Sequence, residues 1–491
     1  MGWECVMEDN VQAKTVFSGA MWRFGERILA QVVSFIVSIV LARILMPEEY
    51  GVVSLTTILI TLCNVFVTSG FGVALIQKKE ADALDFSTVL IFGVAISIGL
   101  YLILFFLAPI LSAFFKQSIL TPIIRIMSLR LPLAAINSVQ QAYISRKMMF
   151  KKFFWGTFFG TAVSAILGIL LAYRGFGVWA LAAQYLSNCF IDTVVLTIVI
   201  RKFPKLKFSK ERLKNVFGFG GRILCSDFIA TLYTQLRGLI IGKKYTSAQL
   251  AYYNKGDQIP HLFITNSNIA ISTVLFPAMS QAQDKKERLK YILEKSVKIS
   301  MYVILPIMAG LAIVAESLVK LLLTDKWLGA VPFLQLSCLI YVVEPWIQVN
   351  LQAMKALGQG KNYLKLEIIK KTIAFALLII CIPFGVYAIV LSAGIYSIFA
   401  LILTTYIIGK ELGYGFFKQL KAIAPDILKV AIMMLVLYPF KYINLNIYLI
   451  TAIQILLGVL IYLLLSLLMR SENFKYILSL TRKLFSKGGK R

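Results

Sequence analysis

The sequence predicts an all-α polytopic membrane protein of about 14 transmembrane helices, and three observations carry that prediction. Of 491 residues, 59% are hydrophobic and only 15% charged, against about 45–50% and about 25% in ordinary soluble domains. The mean hydropathy is +0.80. The apolar excess falls in continuous runs long enough to cross a hydrocarbon core of about 30 Å as helices. These observations exclude a water-soluble enzyme. They also exclude a transmembrane barrel, whose strands alternate apolar and polar residues over about 10 positions.

Taken in order, the apolar windows are 18–45, 51–76, 86–109, 122–145, 153–173, 177–200, 216–242, 257–282, 292–314, 331–355, 365–382, 387–409, 424–440 and 447–469. The connections between them are short, so no extramembrane domain is expected. The first 17 residues carry Glu4, Glu8 and Asp9 and lack an apolar core, so no cleavable signal peptide is expected. Cys5, Cys63, Cys189, Cys225, Cys338 and Cys381 form no CxxC pair, and five lie in apolar stretches. They read as small buried hydrophobes.

The net charge of +28 would suggest nucleic acid in a soluble chain. Here its placement gives orientation. With the N-terminus in the cytoplasm, inside segments hold more than three times as many Lys and Arg as outside loops, as the positive-inside rule requires. Both termini are therefore expected in the cytoplasm. The basic segments Arg201–Lys214 and Arg470–Arg491 read as topology signals and contacts to anionic lipid. No nucleic-acid partner is needed.

A tandem repeat underlies the pattern. Phe176-Gly177-Val178-Trp179-Ala180 opens the sixth window, and Phe384-Gly385-Val386-Tyr387-Ala388 opens the twelfth. Gln141-Ala142 recurs as Gln352-Ala353. Six windows separate each pair, so the halves share orientation, as in parallel transporter repeats. The expected division is 1–215 for helices 1–6 with a basic linker, 216–423 for helices 7–12, and 424–491 for two further helices and a basic tail.

Polar residues recur at helical spacing inside the windows. In the first, Arg23, Arg27, Gln31, Ser34 and Ser38 share a narrow face, with Glu26 beside the arginines. The seventh repeats the stripe as Arg222, Ser226, Ala230, Tyr233 and Arg237. The second shows Thr57, Thr61, Asn64 and Thr68; its mate, the eighth, shows Asp257, His261, Thr265, Asn268 and Ser272. The tenth adds Ser337, Tyr341, Glu344, Gln348 and Gln352, and the fourth Arg130, Asn137 and Gln141. Ionisable residues in a bilayer cost about 2.5–3.5 kcal/mol each and face protein or water. Stripes on so many helices suggest a hydrated cavity between two lobes. The competing accounts are snorkelling for Arg23, a closed Glu26–Arg27 pair, and interhelical hydrogen bonding for the hydroxyl stripes.

Asp227, with Thr231, Thr234 and Gly238 on its side of the helix, could bind Na⁺ or carry a proton, or could pair with a neighbouring Arg. Asp192 and Glu344 are weaker candidates for that role. His261 is the single histidine, which excludes a site built on several. Phe217-Gly218-Phe219-Gly220-Gly221 has no preceding strand, so it is not a phosphate loop. Pro132, Pro260, Pro277, Pro306 and Pro345 fall within windows and are expected to kink them. No catalytic site and no cofactor are expected.

The stretches Trp22-Arg23-Phe24-Gly25-Glu26-Arg27 and Leu41-Ala42-Arg43-Ile44-Leu45-Met46-Pro47-Glu48-Glu49-Tyr50-Gly51 resemble the start of bacterial polysaccharide flippases. Ala142-Tyr143-Ile144-Ser145-Arg146-Lys147-Met148-Met149-Phe150 and Phe176-Gly177-Val178-Trp179 continue the likeness over nearly the whole chain. The group is the Wzx-type O-antigen and exopolysaccharide (lipopolysaccharide biosynthesis) exporters of the multidrug/oligosaccharidyl-lipid/polysaccharide superfamily. The resemblance implies two parallel-repeat six-helix lobes in a V shape plus two C-terminal helices. It implies alternating access, moving an undecaprenyl-diphosphate-linked oligosaccharide across the bacterial cytoplasmic (inner) membrane. Arg27, helped by Arg23, Arg222 and Arg237, would hold the diphosphate. Glu26, Gln31, Asn64, Tyr233 and Asn268 would line the substrate path, and Asp227, Glu344 or Asp192 would take a coupling Na⁺ or H⁺. The expected partners are membrane lipids and other polysaccharide-assembly enzymes, and the chain is expected to act as a monomer.

Two rivals share parts of this pattern. A cation-coupled multidrug exporter has the same topology, but an arginine-lined cavity would repel cationic drugs. A membrane polysaccharide polymerase or ligase is expected to carry a large catalytic outside loop, and the longest here is about 16 residues by hydropathy. The orientation is directly testable. Alkaline phosphatase fused after Tyr245 should be active, and fused in the 206–209 linker or at the C-terminus inactive; the reverse activities would invert the topology.

Overall fold

In hydrocarbon the backbone must satisfy its own hydrogen bonds, and this chain does so with helices throughout. The computed structural model describes residues 27–69, 81–200, 206–443 and 446–479, together with residues 22, 25, 72, 75, 76 and 78. In chain order the helices are α1 (Arg27–Ile44), α2 (Pro47–Thr68), α3 (Ala83–Phe115), α4 (Leu120–Met127), α5 (Arg130–Arg146), α6 (Phe150–Tyr173), α7 (Val178–Ile200) and α8 (Lys210–Lys244). They continue as α9 (Ser247–Ser280), α10 (Lys286–Ile313), α11 (Ala315–Leu323), α12 (Val331–Tyr341), α13 (Glu344–Ala356), α14 (Gly360–Cys381), α15 (Val386–Leu412), α16 (Phe416–Leu437) and α17 (Ile447–Leu468). A further helical stretch covers 472–479. No strand occurs among the described residues.

Eleven of these stretches are long and apolar enough to cross a membrane on their own composition. Three more windows coincide with helices of membrane length that are less apolar or more charged: α8, α14 and α16. Each window from the sequence therefore corresponds to a helix or a pair of helices. The pairs are α4–α5 and α12–α13, the fourth and tenth windows. Both break just before a proline: Pro132 is the third residue of α5 and Pro345 the second of α13. Proline lacks an amide hydrogen and fits the first turn of a new helix. The expectation of kinks at these two positions is thus corrected to interruptions. Pro260, Pro277 and Pro306 lie inside continuous helices.

The chain divides into two compact units, 1–251 and 252–491. Repeat similarity divides it at 215/216, whereas compactness counts α8 with the first unit because α8 packs along α2 and α3. On α8, Gly238 and Gly242 admit Ile58 and Leu55 of α2; an added Cβ would stand 2.7 and 2.2 Å from those side chains. Phe66 and Phe228 meet further along with ring centroids 4.9 Å apart.

The residues of the Met46–Gly51 stretch have identifiable local jobs. Pro47 occupies the first position of α2, and the Met46 amide donates to the Glu49 carboxylate at 2.8 Å. The Tyr50 hydroxyl donates to the Ser38 carbonyl at 3.3 Å. Gly51 lies against the start of α9: a Cβ there would sit 2.0 Å from the Ser247 carbonyl oxygen, so only glycine fits. The start of α9 carries its own capping box, with the Gln249 amide donating to Thr246 Oγ1 at 3.2 Å.

At the other end of α2, an ionic junction ties three segments of the first unit. Asp82 and Asp85 cap α3 reciprocally, each amide donating to the other's carboxylate at 2.9 and 3.1 Å. Lys78 Nζ lies 2.6 Å from the fully buried Asp85, and Arg212 lies 3.2 Å from Asp82. Ser87 and Thr88 bind the backbone of Lys207 and Ser209 at 2.7 and 3.3 Å. Arg146 donates to the carbonyls of Leu75, at 3.0 Å, and Lys78.

In the second unit, the two helices outside the repeat are fastened by a buried polar network. Lys429 of α16, 1% exposed, pairs with Asp426 and lies 5.1 and 5.7 Å from the ring centroids of Tyr302 and Tyr462. The Tyr302 hydroxyl donates to Ser466 at 3.0 Å, and Tyr462 donates to the Tyr302 carbonyl at 2.8 Å. Asn473 donates to the remaining Asp426 oxygen at 3.1 Å. The network joins α10, α16, α17 and the 472–479 helix. Beside it, Asn350 of α13 and Gln419 of α16 exchange amide hydrogen bonds of 2.9 and 3.0 Å.

Two stability outcomes follow. Removing one partner of a buried pair leaves an uncompensated charge, so Lys429→Met alone should cost about 3–5 kcal/mol. The double variant Asp426→Leu/Lys429→Met should recover most of that loss in thermal melts of the detergent-solubilised protein. At the junction, hydrogen bonding from the Asp85 amide, aided by the nearby cations, holds the Asp82 carboxyl below its ordinary pKa. A depressed carboxylate stabilises the fold above its unfolded pKa and loses that contribution as pH falls through the folded value. Asp82→Asn should therefore melt below wild type at neutral pH, with the gap closing below about pH 4.

Candidate functional site

Helix geometry sets which side chains each element can offer. On α1, Leu29, Ala30 and Val33 face Phe154, Thr157, Phe158 and Thr161 of α6 across a narrow crevice. The Arg27, Gln31, Ser34 and Ser38 stripe lies about 130° around the helix from that packed side. Arg27 and Ser34 are exposed and Gln31 is half-buried. Measured from Ile44, Arg27 lies about 26 Å along the helix, near the far boundary of a core of about 30 Å. Arg23 and Glu26 lie outside the described residues.

On α8 the two predicted polar groups separate. Asp227 and Thr231 share the side of Gly238, which packs on α2. The Tyr233 and Arg237 stripe is turned about 100° away; both residues are half-buried, and Ser226 and Ala230 on the same face are exposed. The backbone of Arg222 lies in α8, and its side chain is outside the described set. Arg27 and Ser34 on α1, and Ser226 and Ala230 on α8, are thus the exposed members of the two stripes, while Gln31, Ser38, Tyr233 and Arg237 are half-buried and each engaged in an interaction. Asp227 is half-buried on that packed side.

Asn64 on α2 and Asn268 on α9 each hold a buried side-chain oxygen without a hydrogen-bond partner. Asp192 of α7 lies against Gly160 of α6, where an added Cβ would stand 2.1 Å from its carboxylate. That glycine makes room for the acid between two packed helices. On its own helix, Gln141 donates to Asn137 at 2.5 Å.

The stripes of the second unit are largely used up between helices. Asp257 of α9 accepts from Ser337 at 3.1 Å and Tyr341 at 2.8 Å, both on α12. Gln352 of α13 donates to Ser272 at 3.0 Å, and the rings of His261 and Tyr341 lie 5.8 Å apart. These polar groups act as interhelical links, so the expectation that all stripes line a cavity is corrected for this pair. A polar side chain in an apolar setting finds a partner on the facing helix wherever one is within reach.

Glu344 begins α13 at the break after α12 and is acted on by Lys370 and Lys371 of α14. Sequence reasoning overlooked those lysines, with Glu367, and the buried Asp426–Lys429 pair. A count of charges inside each apolar window would have found both, because the window 365–382 holds four and the window 424–440 holds Asp426 and Lys429. No cluster of three or more His, Cys, Asp or Glu fit to hold a metal occurs among the described residues. The five described cysteines are free thiols.

Comparisons with known proteins bear on the family and the fold. A family model described as "Polysaccharide biosynthesis protein" matches residues 40–332. The chain is 26% identical over 357 residues, 72% of each chain, to the succinoglycan biosynthesis transport protein ExoT of Rhizobium meliloti (strain 1021). It is 24% identical over 337 residues, 67% of this chain and 68% of the other, to the lipopolysaccharide biosynthesis protein WzxC of Escherichia coli (strain K12). The teichuronic acid biosynthesis protein TuaB of Bacillus subtilis (strain 168) is 22% identical over 352 residues, 71% of this chain and 72% of its own. Among solved structures, the lipid II flippase MurJ in an inward closed conformation aligns over 92% of this chain and 99% of its own, with TM-score 0.72 and 16% identity. An inward-facing multidrug resistance MATE family transporter aligns over 78% and 95%, with TM-score 0.59 and 15% identity. At these identities the two structures show a shared fold.

Proposed function

The chain belongs to the polysaccharide biosynthesis protein family, and from that membership we propose that it is a flippase for lipid-linked oligosaccharide, most specifically undecaprenyl-diphosphate-linked units for surface polysaccharide. It is a multi-pass membrane protein with the fold of helical transporters. The proposed membrane is the bacterial cytoplasmic membrane, with both termini inside, and the proposed motion is alternating access between repeat-related halves. Relatives named as transport and biosynthesis proteins for succinoglycan, lipopolysaccharide and teichuronic acid support a substrate class shared across several glycans.

The observation that carries the reading is Arg27, an exposed guanidinium on the polar face of α1. Its depth near one boundary of the core matches where the diphosphate of a membrane lipid sits, with the prenyl chain left in hydrocarbon. Arginine's forked donors suit two phosphates, and the half-buried Tyr233 and Arg237 of α8 would add hydroxyl and cationic contacts. The unsatisfied amide oxygens of Asn64 and Asn268 suit sugar hydroxyl donors. Asp227, held on the packed side of α8, is the proposed coupling-ion residue for Na⁺ or H⁺, with Asp192 and Glu344 behind it. Action as a transporter without its own catalytic chemistry, and as a monomer, belongs to the same proposal.

The decisive measurement is the leaflet location of lipid-linked oligosaccharide in cells with and without the protein. Inner-leaflet accumulation with loss of surface polysaccharide is expected on deletion. Unchanged distribution with new drug sensitivity would point to a drug exporter, and normal delivery of unpolymerised units to an enzyme. Arg27→Ala should lower export at least tenfold with normal folding, the loss of one charge-assisted contact; normal export by that variant would remove Arg27 from the site.

A further inference from the structure

The aromatic start of α6 has no part in the site described above. Residues 150–159 hold five phenylalanines and one tryptophan around Lys151 and Lys152. Phe154 and Phe158 turn toward α1 and help line the crevice, and the rings of Trp22 and Phe154 meet with centroids 5.3 Å apart. Trp155 and Phe159 are 45 and 48% exposed, and Lys151 before them is exposed too. Steps of four residues put these three on one face of α6. Trp155 lies 6.0 Å from both Phe158 and Phe159 between centroids. Aromatic belts that only anchor a helix use Trp and Tyr, whose polar atoms reach the interface. Phenylalanine has no such atom, and this row runs about 12 Å beyond Lys151 into the core.

Helices α1 and α6 belong to the same unit and run in the same direction. Trp22 meets Lys151 and Phe154, while Leu29, Ala30 and Val33 meet the residues from Phe154 up to Thr161. Right-handed winding then puts two exposed rows on one side of the seam: Ile28, Val32 and Ile36 of α1, and Lys151, Trp155 and Phe159 of α6. Arg27 and Ser34 fall on the opposite side. The seam thus divides an apolar side from a polar one. Both cations stand at one end of it. Arg27, between Trp22 and Leu29, is at about the level of Trp155, one turn from Lys151. The Lys151 ammonium lies 5.7 Å from the Trp22 ring centroid, at the head of the aromatic row.

We propose that the apolar side of the α1–α6 seam is the docking surface for the substrate's prenyl chain, with Lys151 meeting its diphosphate. The proposal rests on the flippase reading and adds the lipid half of the substrate to the headgroup contact at Arg27. Trp155 and Phe159 offer the chain flat apolar faces on one flank. Ile28, Val32 and Ile36 offer branched side chains on the other. A prenyl diphosphate carries its charge at one end and hydrocarbon along the rest, the same order as Lys151 followed by the rings. Its two phosphates suit cations gathered at one level. A diphosphate that has arrived at Lys151 already stands within one turn of the depth of Arg27.

The test is binding of two probes, geranylgeranyl diphosphate and inorganic diphosphate, to the purified full chain in phosphatidylcholine nanodiscs, read against empty discs. Wild type should bind the prenylated probe more tightly. Trp155→Ala/Phe159→Ala should weaken geranylgeranyl diphosphate about tenfold and leave inorganic diphosphate unchanged. Lys151→Gln should weaken both, and Lys151→Arg should retain both. A general loss of folding moves both probes together, so the split between them reports the surface. Thermal melts check the same samples, and Trp155→Leu/Phe159→Leu replaces the alanine pair if that pair melts low. Unchanged binding of the prenylated probe by the folded ring variant would overturn the inference, as the mark of ordinary lipid contact, and leave the flippase reading intact. Equal affinity of wild type for the two probes would do the same. Failure of wild type to bind either probe would overturn the flippase reading, and the inference with it.

Discussion

The absence of water from the hydrocarbon core is the constraint on which everything else in this protein depends. A backbone that cannot hydrogen-bond to solvent must close its own bonds, which yields helices. Side chains that carry charge or hydroxyls into that core must then find a partner, reach an interface or face a hydrated space. The three outcomes are all present. Asp257, Gln352 and the Lys429–Asp426 pair have found partners on facing helices or nearby turns. Lys78, Asp82 and Arg212 gather at helix ends. Arg27, Ser34, Ser226 and Lys371 remain exposed on helices of membrane length.

That sorting connects structure to transport. A helix that spends its polar residues on its neighbours becomes a fixed wall, and the second unit's α9, α12 and α13 have this character. The same holds for α16 and α17, which the Tyr302, Lys429 and Tyr462 network fastens to α10. A helix that keeps polar residues off its packed face offers them to a ligand. In the first unit, α1 packs through Leu29 and Val33 and keeps Arg27 and Ser34 exposed, and α8 packs through Gly238 and Gly242 and keeps Ser226 exposed. Relatives of the chain are named for succinoglycan transport and lipopolysaccharide biosynthesis, and a cationic face suits the diphosphate of the proposed substrate.

The tandem repeat was visible in short motifs, and the structure gives it a physical form. The fourth and tenth windows both break ahead of a proline, Pro132 and Pro345. A hydropathy window averages over such a break, so each pair read as one kinked helix. The Met46–Gly51 stretch resembled a family signature on sequence grounds. Its residues turn out to be a helix start, a tether to α1 and a glycine that allows α9 to approach. Arg146, from another signature stretch, binds loop carbonyls near Lys78. These resemblance motifs thus serve architecture, while the candidate substrate contacts lie on the stripes.

The sequence by itself determined the helical class, the number and order of the windows and the helices that carry polar faces. All of these follow from the local periodicity of hydrophobicity along the chain. Only the tertiary structure decided which polar faces are consumed between helices and which stay open. The Asp257 and Arg27 stripes look alike as patterns, yet Asp257 meets Ser337 and Tyr341 while Arg27 and Ser34 stay exposed. The difference lies in what the neighbouring helix presents, and that is fixed by residues 80 or more positions away. It also decided that α8, second-half by repeat, is counted with the first unit, because glycines at 238 and 242 let it approach α2 more closely than any larger residue would permit.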